Sequence, residues 1–128
     1  MNAWYESLTK PSWQPPDWLF GPVWTVLYMM MAVAFFLFAR RSRGRLRAVG
    51  LGVYAVNILA NALWSPLFFR WHLVGWALID CVIIAATAWF LIVWYWRSVR
   101  TGALLLLPYA AWSSFACVLN GQIWLLNR

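Results

Sequence analysis

Apolar residues fall in four long runs, about 18–39, 48–69, 74–96 and 103–126, divided by short polar or charged breaks. A helix needs roughly 20 apolar residues to cross a hydrocarbon core of about 30 Å, and each run supplies them. The runs are continuous and too long for tilted strands, which excludes a barrel of alternating strands. The prediction is an all-α integral membrane bundle of about four transmembrane helices. The breaks at Arg40 to Arg47, Arg70 to Leu73 and Arg97 to Gly102 are short, so successive helices pack antiparallel. Pro22 falls in the first turn of the first run, where amides lack intrahelical partners, and Asp17 is placed to cap it.

Residues 1–17, MNAWYESLTKPSWQPPD, are too polar and Pro-rich to span. Pro11, Pro15 and Pro16 favour a stiff, extended course. Trp4, Tyr5 and Trp13, with Trp18 just beyond, suit the membrane interface. The chain therefore divides into an interfacial lid, 1–17, and a single helical domain, 18–128.

Composition strengthens this division. The chain has 128 residues, 65% of them hydrophobic and 10% charged, more apolar surface than one soluble core of this size can hide. The net charge of +7 sits in the breaks between runs, which argues for topology and against nucleic acid as a partner. Five arginines between the first two runs, with Arg97 and Arg100, mark the cytoplasmic side, and both termini are expected outside. A bacterial inner membrane with periplasmic termini is the expected setting. No basic segment followed by an apolar stretch and a cleavage site opens the chain, so no removable signal peptide is expected. Cys81, Cys117 and His72 show no metal-ligand spacing, and the thiols are read as core residues.

Within the runs, Asn57, Asn61, Asp80 and Asn120 are the strongly polar residues. At ~1.5 Å per residue, Asn61 lies roughly 12 Å, and Asp80 and Asn120 about 10 Å, below the outer ends of their helices. Tyr54, Asn57, Asn61, Trp64 and Phe68 share one helical face, as do Trp112, Ala116 and Asn120. Trp24 and, one turn deeper, Tyr28 reach a similar layer from the first helix. This outlines an aromatic pocket with a few amides, open outward and covered by the lid, suited to a flat, mostly apolar ligand. Spacing alone equally admits asparagines serving as interhelical hydrogen-bond glue. Asp80 requires protonation or a neighbouring amide or hydroxyl, and a structural role is expected for it. Trp71, Trp76, Trp94, Trp96 and Trp124 lie near helix ends and read as interface anchors.

The segment WYESLTKPSWQPPDWLFGPVWTVLY, with NILANALWSPLFF and LPYAAWSSFACVLN in the same order, resembles the TspO family of tryptophan-rich sensory proteins, also called peripheral-type benzodiazepine receptors. The resemblance implies a helical bundle binding porphyrins, other tetrapyrroles or isoquinoline-type drugs. Trp24 and Asn61 would be its polar contacts, Trp112 part of the aromatic wall and Tyr5 a residue of the lid. With the layer derived above, the ligand-binding candidates are Tyr5, Trp24, Tyr28, Asn57, Asn61, Trp64, Trp112 and Asn120. No required cofactor is expected, a bound porphyrin or tetrapyrrole aside. Position 57 carries Asn where the family commonly has Gln. A sterol-type pattern, Leu91, Tyr95 and Arg97, lies away from the family's own and carries little weight.

Family members have five transmembrane helices, the first preceding the Trp-Tyr block, which begins here at residue 4. The resemblance thus leads to an expectation of one helix fewer, with a homodimer or another membrane protein covering the face beside it. Two function classes follow: a membrane receptor, sensor or translocator for a tetrapyrrole-like ligand, or a small accessory subunit or assembly factor of a larger membrane complex, such as a photosynthetic pigment-protein complex. Relatives are also proposed to promote oxidative porphyrin breakdown. Here no nucleophile-His-carboxylate set or phosphate loop is present in the sequence, so such chemistry would depend on light or oxygen.

Overall fold

The computed structural model describes residues 3–127, the side chain of Asp17 excepted. A short helix, α1 (Ala3–Ser7), precedes four long ones: α2 (Asp17–Arg41), α3 (Gly44–Ser65), α4 (Val74–Trp96) and α5 (Arg100–Asn127). A π-helical turn, Pro66–Arg70, extends α3, and the four long helices are each long and apolar enough to cross a membrane. The protein is an all-α, integral membrane bundle.

Sequence and structure differ mainly at the ends of elements. The lid is not extended throughout, because α1 forms a turn and a half of helix. Pro16, with φ −58° and ψ 145°, takes the N-cap position of α2, the non-helical geometry a cap requires. Asp17 is thus the first helical residue, and its expected capping side chain lies outside the described residues. The early start leaves Pro22 beyond the first turn, where it cannot supply an amide to the Trp18 carbonyl; Trp18 is exposed.

The arginine-rich break is almost entirely helical. Helix α2 continues to Arg41, and Ser42 closes it by donating from both its backbone amide (3.0 Å) and its hydroxyl (2.6 Å) to the Phe38 carbonyl. Gly44, at φ +60°, then allows the reversal into α3 without a Cβ penalty.

Helix α4 turns several of its smaller residues inward. On α4, Ala77, Asp80, Cys81, Ile84, Ala88, Leu91 and Tyr95 are buried, whereas Trp76, Ile79, Val82, Trp89 and Val93 point outward. This is packing for lipid, where small side chains let backbones approach and bulky ones cost nothing outside. Trp94 departs from the expected anchor role: its indole N–H donates to the Leu46 carbonyl at 2.8 Å and ties α4 to the first turn of α3. Leu91 and Tyr95 are fully buried, so the sterol-type pattern does not face lipid.

Candidate functional site

Between the helices at the lid end lies a cavity of about 300 Å³. Helix α2 contributes Trp24 and Tyr28, and Phe20 from its first turns; α3 contributes Asn61, Trp64 and Ser65. Helix α5 lines the far side with Trp112, Ser113, Ala116, Leu119, Asn120 and Ile123, and α4 adds Cys81 and Ile84. Phe68 and Phe69 both reach it. In an α-helix consecutive residues diverge by about 100°, and the π-turn, closed by Trp71 N–H donating to the Pro66 carbonyl, widens the helix where both rings enter. Such turns recur at functional sites.

The lid is fastened rather than draped. Tyr5 is buried against Phe68 (5.9 Å between ring centroids) and Phe69 (5.3 Å), and its hydroxyl accepts from Gln14 Nε2 at 2.7 Å. Lys10 Nζ sits 4.7 Å above its ring. Trp4 stacks on His72 at 4.0 Å. At the other edge, Thr9 N–H donates to Asn127 Oδ1 (2.8 Å) and Asn127 Nδ2 donates back to the Thr9 carbonyl (2.7 Å), joining the lid to the end of α5.

Polar groups of the wall are largely committed to one another. Tyr28 donates to Asn61 Oδ1 (2.8 Å), Asn61 Nδ2 donates to the Tyr109 hydroxyl, and that hydroxyl donates to Asn57 Oδ1 (2.8 Å). Asn57 Nδ2 ends the chain on the Ile84 carbonyl (2.9 Å) and Thr87 Oγ1 (2.8 Å). Trp64 Nε1 donates to Asn120 Oδ1 (3.0 Å), and Asn120 Nδ2 to the Val74 carbonyl (3.1 Å). Each amide thus joins helices as interhelical hydrogen bonds do in lipid. The Trp24 indole N–H has no hydrogen-bond partner among the described residues and belongs to the cavity wall.

Of the sequence candidates, Tyr5, Trp24, Tyr28, Asn61, Trp64, Trp112 and Asn120 line this one cavity. Asn57 does not: it is fully buried below the cavity, with its amide spent on α4 and Tyr109. Asp80 lies on the buried side of α4 outside the lining, and its Oδ2 has no hydrogen-bond partner among the described residues, which leaves protonation as the other of the two expected fates. Phe20, Phe69, Ser65, Cys81, Ile84, Ser113, Leu119 and Ile123 join the wall without having been singled out as candidates. Among the described residues, no group of three His, Cys, Asp or Glu side chains is placed to hold a metal ion.

A family model described as the TspO/MBR family matches residues 1–125. The chain belongs to the TspO/MBR family. It is 36% identical to Protein CrtK of Rhodobacter capsulatus over 131 residues, an alignment covering 98% of this chain and 79% of that protein. It is similar to the human Translocator protein, at 39% identity over 128 residues, covering 98% of the chain and 75% of the relative. Tryptophan-rich protein TspO of Chlorobaculum tepidum is 38% identical over 125 residues, 96% of this chain and 78% of its own length. In this TspO/MBR protein most of the cavity wall comes from the segments that carry the resemblance, the lid, the start of α2, the second half of α3 and the middle of α5, and α4 adds Cys81 and Ile84.

Proposed function

We propose that this TspO/MBR protein binds a flat, mostly apolar small molecule of the tetrapyrrole class in the lid-end cavity, as a receptor, sensor or translocator. The observation that carries the reading is the character of the wall: aromatic on three sides, roofed by Tyr5, with its asparagines already bonded to protein. Such a wall offers ring surfaces and few open donors, chiefly the indoles of Trp24 and Trp112, the latter buried without a hydrogen-bond partner among the described residues. It therefore favours a conjugated ring that presents an acceptor to Trp24 and asks little else of polar groups. The volume is at the small end of the ~300–1,000 Å³ range for small-molecule sites, so a macrocycle enters edge first and keeps its charged substituents at the mouth. Relatives named as a translocator protein and as a tryptophan-rich sensory protein support transport or sensing. An accessory-subunit role draws on no feature of comparable detail.

The arginine-rich turns are assigned to the cytoplasmic side of a bacterial inner membrane, which directs the cavity and its lid outward. Titration of protoporphyrin into the purified protein, followed by tryptophan quenching, tests the site. Saturable quenching is expected, weakened at least tenfold in Trp24→Ala. An unchanged response in a Trp24→Ala, Asn61→Ala double variant would sink the assignment.

A further inference from the structure

Charge in this protein is segregated along the bundle. The five arginines of residues 40–47, with Arg97 and Arg100, occupy the end opposite the lid, and all seven are exposed. The three acidic residues, Glu6, Asp17 and Asp80, belong by position to the lid half of the bundle, so no carboxylate among the described residues neutralises the arginine end. Like charges held close without an internal counter-charge repel, and attract anions from outside.

This end is also structurally fixed. Trp94 Nε1 donates to the carbonyl of Leu46, the residue between Arg45 and Arg47, and the Arg97 guanidinium rests 4.5 Å above the Trp94 ring. The first turn of α3 and the last turn of α4 therefore form one surface, with Arg97 brought to the turn of α3 that carries Arg45 and Arg47 on either side of Leu46. Stacking on the indole limits the freedom of Arg97 before any anion arrives. Every cation at this end is arginine, whose planar fork takes two phosphate oxygens at once, as a lysine point charge does not.

The anion is identified by where the surface lies. Directly beside it the spans begin, and Phe36, Phe90, Val93 and Trp96 are exposed apolar side chains on those last turns. A ligand with a phosphate at the level of the guanidiniums and hydrocarbon along these rings satisfies both. We infer that the arginine end is a binding site for an anionic phospholipid of the adjoining leaflet, its phosphate held by Arg45, Arg47 and Arg97.

The full chain, extracted in mild detergent and offered phosphatidylglycerol and phosphatidylcholine in equal amounts, tests this by native mass spectrometry. Wild type should retain phosphatidylglycerol in preference, and Arg45→Gln, Arg47→Gln, Arg97→Gln together should lower that preference by about a hundredfold. Lys10→Gln, Arg70→Gln, at the lid end, should leave it unchanged. Circular dichroism of the triple variant should match wild type, so that loss of lipid is not loss of fold; Arg97→Lys, which keeps charge and removes the fork, should give an intermediate preference. Equal retention of the two lipids by wild type would overturn the inference. So would retention unaffected by the triple variant, or displacement of the bound lipid by millimolar inorganic phosphate, which would mark a soluble-anion site.

Discussion

Asn57 and Asn61 stand one helical turn apart in the same hydrogen-bonded chain, yet only Asn61 reaches the cavity. The two should separate experimentally. Asn57→Ala removes the groups that satisfy Tyr109 and Thr87 and is expected to cost about 1 kcal/mol, the scale of interhelical hydrogen bonds in lipid, while protoporphyrin quenching persists. Trp24→Phe keeps a ring in the wall and removes its donor, so it should weaken binding with little change in thermal stability. Gly50 is the glycine with least room for a side chain. A Cβ there would stand 2.3 Å from two atoms of the Phe38 ring, which is fully buried and stacked at 3.9 Å on Tyr95. Gly50→Ala should destabilise by about 1–3 kcal/mol, as overpacking does, measured as a lower unfolding midpoint, and Phe38→Leu in the same chain should restore part of the loss.

The lid and α3 show what could be read from sequence and what could not. Polar and aromatic residues at three-and-four spacing named the inner face of α3 correctly, because a polar side chain in lipid has few places to go but inward. Helix α4 gave one such mark, Asp80, and no spaced series. Its lipid face is as hydrophobic as its buried face, so hydropathy periodicity is silent, and Cys81 and Ile84 were not picked out. Phe69 was hidden for another reason: the π-turn shifts the helical phase after Pro66, and three-and-four spacing assumes that phase continues. The lid was legible as interfacial, but its fastening depends on a pairing across the chain, Thr9 with Asn127, that no local pattern reports. Breaking it has a defined consequence. Asn127→Ala should leave the helices intact and speed both entry and release of protoporphyrin in stopped-flow quenching, with a smaller effect on the equilibrium constant, because the lid stays packed through Tyr5 in both states.

The ends of the bundle differ in kind: one carries the cavity and an aromatic lid, the other a surface of arginines clamped through Trp94. Four spans of alternating direction follow from four helices joined by short turns, and that much was evident from run lengths. The helix ends were less so, since the arginines read as a loop although most of residues 40–47 are helical; charge marks where lipid ends, not where hydrogen-bonded turns end. The orientation proposed above rests on the same charge. Basic residues resist transfer across a membrane, and the seven arginines outweigh Lys10, Arg70 and Arg128, which Glu6 and Asp17 partly offset. With Cys81 and Cys117 replaced by alanine, single cysteines at Ser12 and Arg43, both exposed, can be probed in intact bacterial cells with a membrane-impermeant maleimide. Ser12→Cys should label at once and Arg43→Cys only after the cells are opened. The reverse pattern would point the cavity mouth into the cytoplasm, so that any ligand reached it from within the cell, and a role in taking up or sensing tetrapyrroles from outside would have to be abandoned even if the cavity bound them.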